Sequence, residues 1–151
     1  MLDDSPAYLT FSRLVRYQTA LWNAVDARLR ERHGVPLTHV TPLQVVAETP
    51  GCRVQDIVRV LHITVGGASK VVDRLEAAGH VVRTANPQDR RSSVLQATEA
   101  GLELLDRAGV DIEQVLAERF GAVPAADLAE LDRVLAALQA SGPAAVSEVT
   151  A

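Results

Sequence analysis

The residues of this sequence best placed to do chemistry are cations spaced along a face. In the stretch Thr64-Val65-Gly66-Gly67-Ala68-Ser69-Lys70-Val71-Val72-Asp73-Arg74-Leu75-Glu76-Ala77, helical geometry puts Gly66, Gly67, Lys70, Asp73, Arg74 and Ala77 on one side. Val65, Ala68, Val72 and Leu75 fall on the other side with the 3-4-3 spacing of a buried stripe. On an exposed helix, Lys70 and Arg74 can reach phosphates or base edges, and Arg can bind guanine in bidentate fashion. The plainer alternative is ordinary solvated charge. Gly66 and Gly67 each cost a helix roughly 1 kcal/mol relative to Ala. Either they let the helix N-terminus approach a phosphate backbone closely, or they are drift in a chain rich in small residues. Ser69 can donate to a phosphate or bond back to its own helix. A second basic group, Arg90-Arg91, follows Asp89. A narrow minor groove attracts Arg through its negative potential; a solvated turn pair is the alternative.

No catalytic constellation stands out. No serine sits in a G-x-S-x-G elbow, and Gly66-Gly67 precedes Ala-Ser-Lys without the spacing of a phosphate loop. The four histidines, His33, His39, His62 and His80, include no i, i+4 pair. Cys52 is not placed beside one in a zinc pattern. No metal or cofactor is therefore expected. Cys52 is the one cysteine, so an intramolecular disulfide is ruled out. It is either a redox thiol or, the plainer reading, an inert one.

The elements that position these groups follow from periodicity and punctuation. Residues 6–33 carry Tyr8, Phe11, Val15, Trp22, Val25 and Leu29 at helical spacing, with Leu14, Tyr17, Leu21 and Ala24 as a stripe beside them. Together they make a face wider than one neighbour needs. Gly34 and Pro36 close that helix. Thr41-Pro42 is expected to open the next, as cap and first helical residue, and Pro50-Gly51 to end it. A short helix over 54–61 and a turn at His62-Ile63 lead to the Thr64-capped helix, which Gly79 stops. Two short helices, the second with a basic face, form a helix-turn-helix pattern. The period then changes to two. Residues 81–84 and 93–95 read as strands around the turn-forming loop Asn86-Pro87-Gln88-Asp89-Arg90-Arg91, a hairpin with a basic tip. Thr98 caps a helix with a stripe at Leu102, Leu105, Ile112, Leu116 and Phe120, and Leu128, Leu131, Leu135 and Leu138 mark the last.

Length and composition bound the rest. The chain has 151 residues, 48% hydrophobic, 23% charged and only 3% aromatic. That is a folded single domain with a Leu, Val and Ala core, mainly α. No apolar run approaches roughly 18 residues, and Asp3 and Asp4 open a sequence with no secretory leader; a cytoplasmic protein without a membrane span is expected. The net charge of −4 argues against a polyanion partner until it is divided. Residues 1–52 net zero, 53–96 net +3 and 97–151 net −7. A polyanion could be met at the central block and repelled elsewhere.

In Thr64 to Gly79, in Asn86-Pro87-Gln88-Asp89-Arg90-Arg91-Ser92 and in Thr98-Glu99-Ala100-Gly101, the chain resembles the MarR family of bacterial transcriptional regulators. These stretches match that family's recognition helix, Asp-Arg-Arg wing and Thr-x-x-Gly helix start. The likeness in element order spans about residues 6–140. Two positions depart: Ala97 stands where the family usually has Leu, and His80 where it usually has an apolar residue. Neither removes a DNA-facing group.

The resemblance implies a winged helix-turn-helix over 41–97 and a helical dimerisation region over 6–33 and 98–140, with 141–151 a frayed tail. It implies a homodimer on a pseudo-palindromic operator in double-stranded DNA. The DNA-facing set would be Thr64, Gly66, Gly67, Ser69, Lys70, Asp73 and Arg74, with Asp89, Arg90 and Arg91 in the wing, where Asp89 would hold Arg91 by an ion pair. Leu14, Leu21, Leu128, Leu131, Leu135 and Leu138 would meet across the two-fold. The paired apolar stripes agree, since so small a domain cannot cover all that surface from within. Many members of the family lose DNA affinity on small-molecule or oxidant signals, and Tyr17, Trp22 and His39 are the candidate effector-pocket residues. The leading reading is thus a DNA-binding regulator, a repressor; the alternative is a winged-helix module for protein–protein assembly with no operator of its own. An enzyme is not expected.

Overall fold

The computed structural model of the chain describes residues 5–85 and 93–141. Within them the order is α1 (Pro6–His33), α2 (Leu37–Glu48), α3 (Val54–Leu61), α4 (Val65–Ala77), β1 (Val81–Ala85), β2 (Ser93–Ala97), α5 (Glu99–Phe120) and α6 (Ala125–Ser141). The helix-turn-helix α3–α4 followed by the β1–β2 hairpin is a winged helix, set on a mainly helical frame.

Local signals explain most boundaries. Ser5 accepts a hydrogen bond from the Tyr8 amide and Pro6 fills the first helical position of α1, while Gly34, at φ 70°, ends it. One start differs from expectation: α2 begins at Leu37, and Thr41-Pro42 lies inside it. Its first free amide, Leu37 N, is capped by Asp26 Oδ1 of α1 at 2.7 Å, a partner that sequence proximity does not reveal. Pro42 then has no N–H to give the Thr38 carbonyl one turn back.

The turn into α4 passes through His62 in the left-handed region, φ 52°, and Thr64 Oγ1 accepts from Gly67 N at 3.1 Å. At the other end Gly79, φ 75°, lets its own amide reach Glu76 O and the His80 amide reach Leu75 O, both at 2.9 Å. This closes the helix in the expected way. The strands are antiparallel, with Val81 opposite Ala97 and Ala85 opposite Ser93. On the far side of β2, Leu95 N donates to Cys52 O at 2.8 Å.

Thr98 joins hairpin to frame. Its hydroxyl donates to Gly79 O at 2.6 Å and accepts from Gly101 N at 3.1 Å, and its amide donates to His80 O at 3.0 Å. A Cβ on Gly101 would lie 2.3 Å from His80 O, so the strand–helix junction has no room for a side chain there.

Two buried clusters result. One fills the winged helix with Leu43, Ile57, Val72, Leu75, Val81 and Leu95. The other joins Val25 and Leu29 of α1 to Val40, Ala108 and Val115. The hydrogen bond between His33 Nε2 and Asp111 Oδ2 at 2.8 Å and the ion pair Arg28–Glu118 at 3.2 Å fasten α1 to α5 beside it. The face that α5 buries is Gly101, Leu104, Ala108 and Val115, about one residue round from the expected stripe. Leu102 is exposed, while Leu105, Ile112, Leu116 and Phe120 are only partly covered. Two neighbours, α1 and α2, set that face, and spacing alone does not report their angle.

The first half of α1 and all of α6 are left over. Phe11 is 59% exposed, Leu131 47% and Leu138 61%, and no residue of 125–140 is buried.

Candidate nucleic-acid interface

Thr64, Gly66, Lys70, Asp73 and Arg74 are exposed on α4, with Gly67 and Ser69 partly covered. Ala68, Val72 and Leu75 anchor the opposite side, each fully buried. Val65 corrects the expected stripe: it is 49% exposed, because the first residue of α4 overhangs the core and packing starts at Ala68. Gly66 has open space where a Cβ would go, so nothing among the described residues requires glycine there.

The cations of the central block divide into two kinds. Arg59 is paired with Asp56 at 2.6 Å. Arg83 on β1 is held between Asp73 and Glu76 of α4, with its Nε 3.0 Å from Glu76 Oε2. The side chains of Lys70 and Arg74 have no hydrogen-bond or ion-pair partner among the described residues, so they are free to meet an external anion. The wing residues Asp89, Arg90 and Arg91 lie outside the described residues; β1 and β2 are the strands that flank them.

The residues considered for an effector pocket have different surroundings. Trp22 lines a cavity of about 340 Å³ together with Thr38, Thr41 and Pro42 of α2, and with Gly67 and Val71 of α4. Tyr17 instead stacks obliquely with Phe120, ring centroids 6.1 Å apart. His39 faces His80, with Nε2 2.9 Å from His80 Nδ1. Burial, and then the nearby His80, hold His39 below the ordinary histidine range. Among the described residues no group of three or more His, Cys, Asp or Glu side chains could hold a metal ion. Cys52 is buried, and burial followed by the Asp56 charge pushes its thiol up to about 11. Little thiolate exists near neutral pH, which disfavours oxidant sensing there.

Of the residues expected to pair subunits, Leu14, Leu131 and Leu138 are exposed, and Leu21, Leu128 and Leu135 are partly buried. Sequence reasoning missed Arg83, whose role shows only when β1 folds back along α4. It also missed the His39–His80 contact, which joins α2 to the turn after α4. Among the described residues, no helix is long and apolar enough to cross a membrane.

A model of the MarR family matches residues 33–92, which contain α2, α3, α4 and β1. The HTH-type transcriptional regulator YkoM of Bacillus subtilis (strain 168), itself uncharacterized, is 31% identical over 77 residues, 51% of this chain and 50% of its own. The chain spans about half the length of the curated relatives it matches. Among solved structures, a MarR family transcriptional regulator of Streptomyces coelicolor in complex with DNA has a TM-score of 0.80 at 23% identity, covering 95% of this chain and 97% of the other. CouR from Rhodococcus jostii RHA1 bound to p-coumaroyl-CoA has a TM-score of 0.77 at 24% identity, covering 95% and 97%. Over residues 33–92 this chain therefore carries the sequence pattern of the MarR family, and its fold is the winged-helix fold of that family's solved members.

Proposed function

We propose that this chain is a homodimeric transcriptional regulator, a repressor, that binds a pseudo-palindromic operator in double-stranded DNA through α4 and the wing. The observation that carries this reading is the pair Lys70 and Arg74: exposed, with side chains free of partners among the described residues, and on the outward face of the second helix of a helix-turn-helix. A cation spent on an internal ion pair is a poor phosphate ligand; these two are not spent. The DNA-bound Streptomyces coelicolor regulator of the same fold supports it.

Dimerisation through α1, α5 and α6 is the second part of the proposal. A helix with no fully buried residue gains little stability from its own subunit, since helical stability in proteins comes mostly from packing an apolar face. A second copy would cover Phe11, Leu14, Leu131 and Leu138 together and space two α4 helices for two half-sites.

The third part is release by a small molecule in the Trp22 cavity. That cavity touches α1, α2 and the first turns of α4, so an occupant there would bear directly on the angle of the DNA-facing helix. CouR, bound to p-coumaroyl-CoA, supports ligand binding in this fold.

Capture of sheared genomic DNA by the purified protein, followed by sequencing, tests the proposal. Enrichment of a two-fold related sequence is expected. Recovery of no sequence above background would contradict it and favour a protein-assembly role for the winged helix.

A further inference from the structure

We propose that Asp73 reads a base: one oxygen of its carboxylate accepts a hydrogen bond from the exocyclic amino group of a cytosine in the major groove, while Arg83 aims it. The inference rests on the DNA-binding reading above and adds a specificity determinant to it.

Asp73 lies on the outward face of α4 between Lys70 and Arg74, with its side chain 65% exposed. A carboxylate in that place is an electrostatic liability against phosphates unless it is rewarded by a donor. The major groove offers base amino groups as donors, and Asp is suited to the cytosine N4 amino group. The local structure is arranged to present it. Arg83 Nη2 donates to Asp73 Oδ1, and no described residue donates to Oδ2. The guanidinium is itself held near this place: it rises from β1, is only 30% exposed, and its Nε lies at ion-pair distance, 3.0 Å, from Glu76 Oε2 without hydrogen-bond geometry. A side chain tethered through one oxygen has one oxygen left and few rotamers to lose on binding. Arg83 also offsets part of the negative charge that Asp73 and Glu76 bring to the DNA side. As an isolated surface ion pair the arrangement would add little to stability, so its position on the DNA side is what gives it a use. Arg83 is a positioning residue in this account, not a DNA contact.

The test is selection of duplexes from a random pool by wild type, Asp73→Asn, Arg83→Gln and Arg83→Lys. Titrations of the selected operator and a random duplex at one salt concentration follow, with thermal unfolding of each variant as the control. Wild type should select cytosine at one symmetry-related pair of positions. Asp73→Asn should lose that preference and bind random duplex more tightly, because a like charge is gone. Its operator-to-random ratio should fall about fivefold or more. Arg83→Gln should blur the same positions and no others, with Arg83→Lys partly restoring them. Selection of the same cytosines by Asp73→Asn, or an equal gain on operator and random duplex, would overturn the proposal while leaving DNA binding intact. Failure of wild type to select any sequence would overturn the DNA-binding reading itself.

Discussion

His39 Nε2 and His80 Nδ1 stand 2.9 Å apart with their rings perpendicular, tying α2 to the turn that leads into β1. One proton between the two nitrogens makes the bond; a second would set two N–H groups against each other. Burial and the neighbouring ring both lower the His39 value, so the folded state takes up this proton less readily than the unfolded chain. The stability it contributes is present above the ordinary histidine value, near 6.5, and is lost as pH falls through the lowered folded value. Thermal unfolding should therefore show a falling midpoint from about pH 7.5 to about pH 5.5, above the carboxylate range. His39→Leu should reduce that fall. An unchanged acid response in the variant would show that the pair does not set it.

Gly101 offers a sharper test of the junction. A methyl group at that position meets the His80 carbonyl oxygen head on, and that oxygen, being backbone, has no rotamer by which to move away. Gly101→Ala should destabilise the fold by about 1–3 kcal/mol, the usual cost of overpacking, even though alanine is the better helix former. Denaturant unfolding gives the value. A stabilised variant would mean that the strand and α5 part easily.

Assembly can be tested on α6. Leu131 is nearly half exposed in the single subunit, so Leu131→Asp costs an isolated chain little, yet it would bury an unpaired charge in a dimer. Sedimentation should show wild type as a dimer and the variant as monomer or aggregate. A wild type that stays monomeric at micromolar concentration would contradict the proposed dimer.

Much of this fold was legible in the sequence because its signals are local. Thr64 and Thr98 cap the helices they precede, Gly79 stops α4, and the change of period after it marks the hairpin. What was not legible depends on through-space partners. Asp26 caps α2 from another helix, so the Thr41-Pro42 signal pointed to the wrong start. The angle at which α1 and α2 meet α5 decides that Leu104 rather than Leu102 is buried. At the candidate interface Lys70 and Arg74 were readable from the helical wheel. The Arg83 tether of Asp73 required knowing that β1 runs back along α4, and Val65 was misassigned because its place on the wheel says nothing of where the core ends.

The central claim is that the outward face of α4 holds duplex DNA, and one measurement tests it most directly. Wild type and the Lys70→Ala/Arg74→Ala double variant are titrated against a genomically captured operator across a salt series. Wild-type affinity should fall steeply with salt, since each phosphate contact adds about 0.9 to the logarithmic slope. The double variant should bind at least about tenfold more weakly, about 1.4 kcal/mol, with a shallower slope and an unchanged thermal midpoint. Equal affinity and equal slope for the two proteins would contradict the account.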